Sequence, residues 1–173
     1  MKSYAGIGSR LTPPPILLNM SSVAARLANR YILRTGGAKG ADTAFIEGAR
    51  HTNPTNIEIY LPQDGFNGYR IDGDLNTTDH IPDKAWEMAE KFHPKFHTLS
   101  DYPKKLMARN SLQVFGKDMD DPVDFIICYT TDGKASGGTG QALRIAEYYG
   151  IKVYNLYNLD DFKMVTALKL DYT

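Results

Sequence analysis

Three glycine-bearing stretches carry most of the chemistry this chain can offer. The first is Arg34-Thr35-Gly36-Gly37-Ala38-Lys39-Gly40-Ala41-Asp42, with three glycines within five residues. Such a stretch lets the backbone reach positive φ and come close to a ligand. The apolar run Tyr31-Ile32-Leu33 precedes it and a helical pattern from Thr43 to Arg50 follows. A helix that starts on a glycine turn aims unpaired N–H groups and a partial positive charge at whatever lies there. The chemistry implied is anion binding, most simply of a phosphate; a tight strand-to-helix connection with no ligand is the alternative. The second stretch runs from Thr130 to Gly140 and ends in Gly137-Gly138-Thr139-Gly140, between the apolar run Asp124–Tyr129 and a helical run Gln141–Tyr149. The third is Gly6, Gly8, Ser9 and Arg10, after an opening strand Lys2–Ile7.

Single residues add to these turns, each with an ordinary structural reading beside the functional one. Arg109 offers a planar fork for phosphate, or is an exposed helix arginine. Asp42 falls on a first helical turn, where it suits a cap and the helix dipole, a contact to a ribose hydroxyl, or a catalytic carboxylate. Lys39 either neutralises a phosphate or is a solvated turn lysine. Ser9 and Arg10 follow a strand end and either touch ligand or lead into a helix. Thr139 can give a hydroxyl and an N–H to phosphate. Glu47, five residues past Asp42, lies about 140° round the helix from it and reads as a surface charge. Asp132 reads as a turn residue, with contact to a base or sugar as the alternative. His51, His80, His93 and His97 share no spacing that would make a metal site or a general base, and Trp86 reads as core. The single Cys128 sits in an apolar run and reads as a packing residue. No residue pattern calls for a metal or other cofactor.

The elements needed to position these groups are legible as alternating strands and helices. Strands are expected at Lys2–Ile7, Tyr31–Thr35, Ile57–Leu61, Asp124–Tyr129 and Ile151–Leu156. Helices are expected at Ile16–Asn29, Thr43–Arg50, Pro82–Phe92, Lys104–Phe115, Gln141–Tyr149 and Phe162–Leu170. Gln63 to His80 reads as a long irregular excursion that could cover the site. The alternation predicts one α/β domain over residues 1–173, a three-layer Rossmann-like fold with a mostly parallel sheet of about five or more strands. In such a sheet the strand ends lie along one edge, where ligands bind. The three turns are therefore read as one site.

Lysine plus arginine and aspartate plus glutamate balance at 20 each in 173 residues. A near-zero net charge argues against nucleic acid as a partner, since an unaided grip on its backbone usually shows as a basic surplus. No apolar run approaches membrane-span length, and Met1–Arg10 lacks a signal-peptide core, so a cytoplasmic protein with no membrane partner is expected.

The motifs Gly6-Ile7-Gly8-Ser9-Arg10, Gly36-Gly37-Ala38-Lys39-Gly40-Ala41-Asp42, Ala108-Arg109-Asn110 and Gly137-Gly138-Thr139-Gly140 resemble the SLOG superfamily. That superfamily groups the Rossmann-like domain of DNA-processing protein A (Smf) with the Lonely Guy (LOG) proteins. The resemblance spans almost the whole chain, in order, and is greatest to small stand-alone members of bacteria and their phages. It implies a modified Rossmann fold that binds a nucleotide or nucleotide-derived ligand. The phosphate would lie on Gly137–Gly140, with Gly36, Gly37, Ala38, Lys39 and Asp42 as the neighbouring wall. Gly8, Ser9, Arg10, Arg109 and Asn110 would complete the site. In the LOG branch an arginine, matched here by Arg109, and a glutamate cleave the N-glycosidic bond of a nucleoside 5′-monophosphate. The glutamate's position is Ala142 here, so such a phosphoribohydrolase would have to use Asp42 or Glu47. LOG-like proteins commonly pair, which implies a homo-oligomer. Single-stranded DNA binding, in the manner of the DNA-processing proteins, is the third implied reading.

Overall fold

The computed structural model describes residues 1–170. Among them, six parallel strands form one sheet: β1 (Lys2–Gly6), β2 (Tyr31–Thr35), β3 (Ile57–Tyr60), β4 (Asn76–Thr78), β5 (Phe125–Cys128) and β6 (Lys152–Asn155), in the order β4-β3-β2-β1-β5-β6. The helices are α1 (Pro14–Leu27), α2 (Ala41–Thr52), α3 (Asp83–Phe92), α4 (Asp101–Phe115), α5 (Thr139–Tyr148) and α6 (Leu159–Thr166). From β1 the chain winds outward through β2 and β3 to β4, then returns to lay β5 and β6 on the other side of β1. The winding direction reverses between β1 and β5, and the carboxyl ends of these two strands leave a crevice of the kind where open α/β sheets bind ligands.

Helices cover both faces, so the strands are buried on two sides and their middles are largely apolar, Tyr4-Ala5, Ile32-Leu33 and Phe125–Cys128 among them. Neighbouring residues point to opposite faces. Tyr4, Leu33, Ile59, Phe125 and Ile127 pack with Met20, Leu27, Phe45, Ile46 and Val165 of α1, α2 and α6. Ala5, Tyr60, Ile126 and Cys128 pack with Ala85, Leu112, Ala142 and Ile145 of α3, α4 and α5. On the first face α1 and α2 approach so closely that a Cβ on Gly48 would lie 2.0 Å from the Ser21 carbonyl oxygen. That contact explains a glycine in the middle of α2, where it otherwise weakens a helix.

One polar group interrupts the second face. Arg34, 4% exposed, sits in register opposite Glu58. Its Nε donates to Glu58 at 2.8 Å and its Nη2 to Asp121 at 2.5 Å. Glu58 also accepts the Tyr60 hydroxyl at 2.7 Å. Burial alone would lower the Arg34 pKa; the Asp121 hydrogen bond and the Glu58 charge outweigh it and raise the value.

Two expectations from the sequence change. The 63–80 segment is not wholly irregular: it contains β4, which pairs with β3 through Asn76–Thr78. These three polar residues lie at the sheet edge and carry no apolar alternation, so periodicity could not reveal them. Helices α1 and α4 begin earlier than expected, because Pro14 and Pro103 sit inside their first turns, where a missing N–H is tolerated. Among the described residues no helix is long and apolar enough to cross a membrane.

Candidate functional site

The first glycine turn closes on its own carboxylate. Gly40, with φ +86°, bends the chain from β2 into α2 against the Ser9–Arg10 backbone; a Cβ there would meet Arg10 Cα at 2.8 Å. Two residues on, Asp42 is 4% exposed and accepts the Ala38 N–H at 3.2 Å. Burial raises its pKa to about 6, while the charge of Arg109 and the N–H groups of Ala38, Gly36 and Gly8 hold it down. The anion on this turn is thus the protein's own side chain.

Arg109 is 6% exposed, inside a helix whose residues from Met107 to Phe115 are all buried. Its Nη1 donates to the Gly36 carbonyl and, at 3.1 Å, to that of Tyr60. Its Nε donates to Asn110 Oδ1 at 3.1 Å. Phe66 faces the guanidinium at 5.8 Å. A guanidinium has five N–H donors, so the Nη2 pair remains without a protein acceptor among the described residues. Burial lowers the Arg109 pKa and the Asp42 charge raises it, although the two form no direct ion pair within 4 Å among the described residues. Asn110 continues the chain of contacts, its Nδ2 donating to the Gly138 carbonyl at 2.9 Å.

The second turn is open where the first is filled. Gly140 N–H bonds the Ser136 carbonyl at 2.9 Å, but the N–H groups of Gly137, Gly138 and Thr139 have no acceptor among the described residues. They lead into α5, whose dipole adds positive potential at that end. A Cβ on Gly138 would meet nothing within 4 Å, and its backbone, φ −62° and ψ −38°, suits any residue. The fold therefore does not require glycine at 138.

These groups line a cleft of about 390 Å³ at the β1–β5 crevice. Of the residues singled out from the sequence, Gly8, Ser9, Arg10, Ala38, Asp42, Arg109, Asn110, Gly137, Gly138 and Thr139 reach its wall. Gly36 lies behind it, beneath Arg109, and Gly37 packs against Leu61 and Tyr69. Lys39 is exposed and outside the lining. Gly140 is buried against the Ala135 backbone. Glu47 and Glu147 are exposed, and Ala142 is buried in the core, so Asp42 is the carboxylate on the cleft wall among the described residues. Asp132 closes its own turn, accepting Ser136 Oγ at 2.6 Å and the Lys134 N–H at 3.0 Å. The 63–80 segment covers the first turn from behind: Asn67 donates to the Gly37 carbonyl at 3.0 Å. No cluster of histidine, cysteine, aspartate and glutamate suited to a metal ion occurs among the described residues.

Sequence reasoning passed over Leu106, Met107, Gln113 and Thr130, which also line the cleft. For Gln113 a signal existed. It follows Arg109 by four residues, and so shares its helix face.

No protein-family model matches the chain, and no curated protein does. Solved structures share its architecture, among them the following two. DNA processing protein A from Helicobacter pylori, described for its single-stranded DNA binding mode, aligns over 99% of this chain and 82% of its own, with TM-score 0.57 and 16% identity. The Moco carrier protein of Chlamydomonas reinhardtii aligns over 97% of this chain and 84% of its own, with TM-score 0.51 and 18% identity. These likenesses show a Rossmann-like fold with a parallel sheet between helical layers. The first similarity corrects one expectation: a balanced net charge does not set nucleic acid aside, because this architecture serves single-stranded DNA binding in the Helicobacter protein. Net charge is a sum over the whole surface, whereas a strand's phosphates are met by local N–H groups and a few cations.

Proposed function

We propose that the cleft binds a nucleotide or nucleotide-derived phosphorylated ligand, with a phosphate on the Gly137–Thr139 turn. The observation that carries this reading is three consecutive unpaired N–H groups at the start of α5, opening on the β1–β5 crevice. An anion there gains several N–H hydrogen bonds and the helix dipole together. Arg109 Nη2 supplies a further charged donor, and Asp42 faces the same space.

The test uses Gly138→Asp and calorimetric titration with nucleoside mono-, di- and cyclic phosphates. An acid at the start of α5 is favoured by the helix dipole and meets no steric obstacle, so the fold holds or gains stability. Its carboxylate occupies the anion's place, as Asp42 does on α2. Wild type binds saturably and the variant does not. Absence of binding across the panel, or equal binding by the variant, refutes the reading.

Single-stranded nucleic acid is the second reading, favoured by the similarity to the Helicobacter DNA processing protein over nearly the full chain. A phosphodiester offers the same turn the same oxygens. Binding of an oligothymidylate that weakens steeply with added salt, and is lost in Gly138→Asp, distinguishes it from mononucleotide binding. Asp42 also keeps an N-glycosidase in view, since a carboxyl near pKa 6 suits proton transfer at neutral pH. Free base and ribose phosphate appearing on chromatography support it; nucleotide left intact after long incubation rejects it.

A further inference from the structure

Gln113 is 3% exposed and lines the cleft. Its carboxamide has no hydrogen-bond partner among the described residues, and neither of its polar atoms is among the sealed, unpaired ones. The amide therefore opens on the cleft. Its position is tightly fixed: a Cβ on Gly36 would fall 2.3 Å from Gln113 Nε2 and 2.2 Å from Arg109 Nη1. Gly36 is side-chain-free where these two tips converge, one helical turn apart on α4. A polar side chain held in place with no protein partner is aimed at something else, and its neighbour on the same helix face is the buried Arg109 guanidinium.

We propose that Gln113 is a specificity-determining residue that reads the uncharged part of the ligand. Its carboxamide takes a group that both donates and accepts a hydrogen bond, either a sugar hydroxyl or the lactam edge of a base. This rests on the phosphate reading of the same cleft. Two features favour a neutral, two-way group over a second phosphate. Gln113 offers a donor nitrogen and an acceptor oxygen side by side, and Asp42 repels a second anion. The hydroxyl or lactam answers both: it can donate to the amide oxygen or to Asp42, and accept from the amide nitrogen or from Arg109 Nη2.

The experiment compares wild type with Gln113→Met, which keeps length and loses hydrogen bonding. Both are titrated with inorganic phosphate, ribose 5-phosphate, adenosine and inosine 5′-monophosphates, and the 2′- and 3′-deoxy forms of the nucleotides. Gln113→Met binds the best nucleotide about 10–100-fold more weakly, the range expected when one buried polar contact is lost, and binds inorganic phosphate as wild type does. One analogue lacking the contacted group loses the same factor against wild type and nothing more against the variant; a deoxy form in that role identifies the hydroxyl, and adenosine against inosine the lactam. Without ligand the variant melts as wild type does, because the amide opens on the solvent of the cleft and its removal breaks no bond within the protein. A glutamine that merely packs would give a lower melting temperature and unchanged affinities. Equal affinities throughout, or a variant that fails to fold, overturns the role of Gln113 and leaves the phosphate reading standing. A wild type that binds none of the panel overturns both.

Discussion

Replacing Asp42 with asparagine removes a carboxyl that the fold holds at about pKa 6, against an ordinary value of 3.8. The fold therefore binds the Asp42 proton more tightly than the open chain does. Stability from this group is fully present below pH 4 and is lost as pH rises to about 6, where the native carboxyl ionises while buried. At about 1.4 kcal/mol per pKa unit the loss is about 3 kcal/mol, a net figure in which the Arg109 charge and three N–H groups already offset part of the cost of burial. Nineteen other acidic residues give the chain its own pH dependence, so the measurement is a difference. Urea unfolding of wild type and Asp42→Asn at pH 4, 5, 6 and 7 gives two curves. The variant's advantage over wild type rises by up to about 3 kcal/mol across that range. Taking the change in this difference with pH cancels any constant effect of placing an amide on the turn. A flat difference, or one of opposite slope, would put the native pKa at or below its ordinary value. It would also refute the claim that burial outweighs the Arg109 charge and the turn's N–H groups.

Three further substitutions separate fold from site. Gly36→Ala drives a methyl into Arg109 Nη1 and Gln113 Nε2; overpacking and a weakened charged hydrogen bond should cost about 2–4 kcal/mol in denaturant titration, with nucleotide binding reduced as well. Asn110→Ala removes the bond to the Gly138 carbonyl at 2.9 Å, and should destabilise by about 1 kcal/mol while weakening nucleotide affinity about tenfold through a loosened turn. Gly48→Ala puts a Cβ 2.0 Å from the Ser21 carbonyl oxygen, far from the cleft. It should cost at least about 2 kcal/mol in thermal unfolding and leave ligand affinity in the surviving folded protein unchanged.

Five of the six strands were legible because each centres on two or more apolar residues; β4, built from Asn76-Thr77-Thr78, is polar and pairs on one side only. The glycine turns were legible by composition, but their unlike states were not. Nothing in the spacing says that Asp42 folds back onto the first turn, or that Gly137–Thr139 keeps its N–H groups free. Helix α4 misled most. An exposed helix arginine was the alternative reading for Arg109, yet it and Asn110, Ser111 and Gln113 are all buried. Their polarity answers carbonyls and a cleft, and binary patterning cannot tell these from water. The SLOG resemblance pointed to the Arg109-Asn110 pair, and helix periodicity from Arg109 would have led to Gln113.

The Arg109–Asn110 pair has a mechanical consequence. One side chain holds the exits of β2 and β3 through Gly36 and Tyr60, the next holds the turn that opens α5 through Gly138, and the two are bonded to each other. The mouth of the crevice is thus spanned by adjacent residues of a single rigid helix, and its aperture is gauged by helix geometry instead of by loop stiffness. Whatever enters meets jaws already set, and any force that spreads one lip is transmitted to the other.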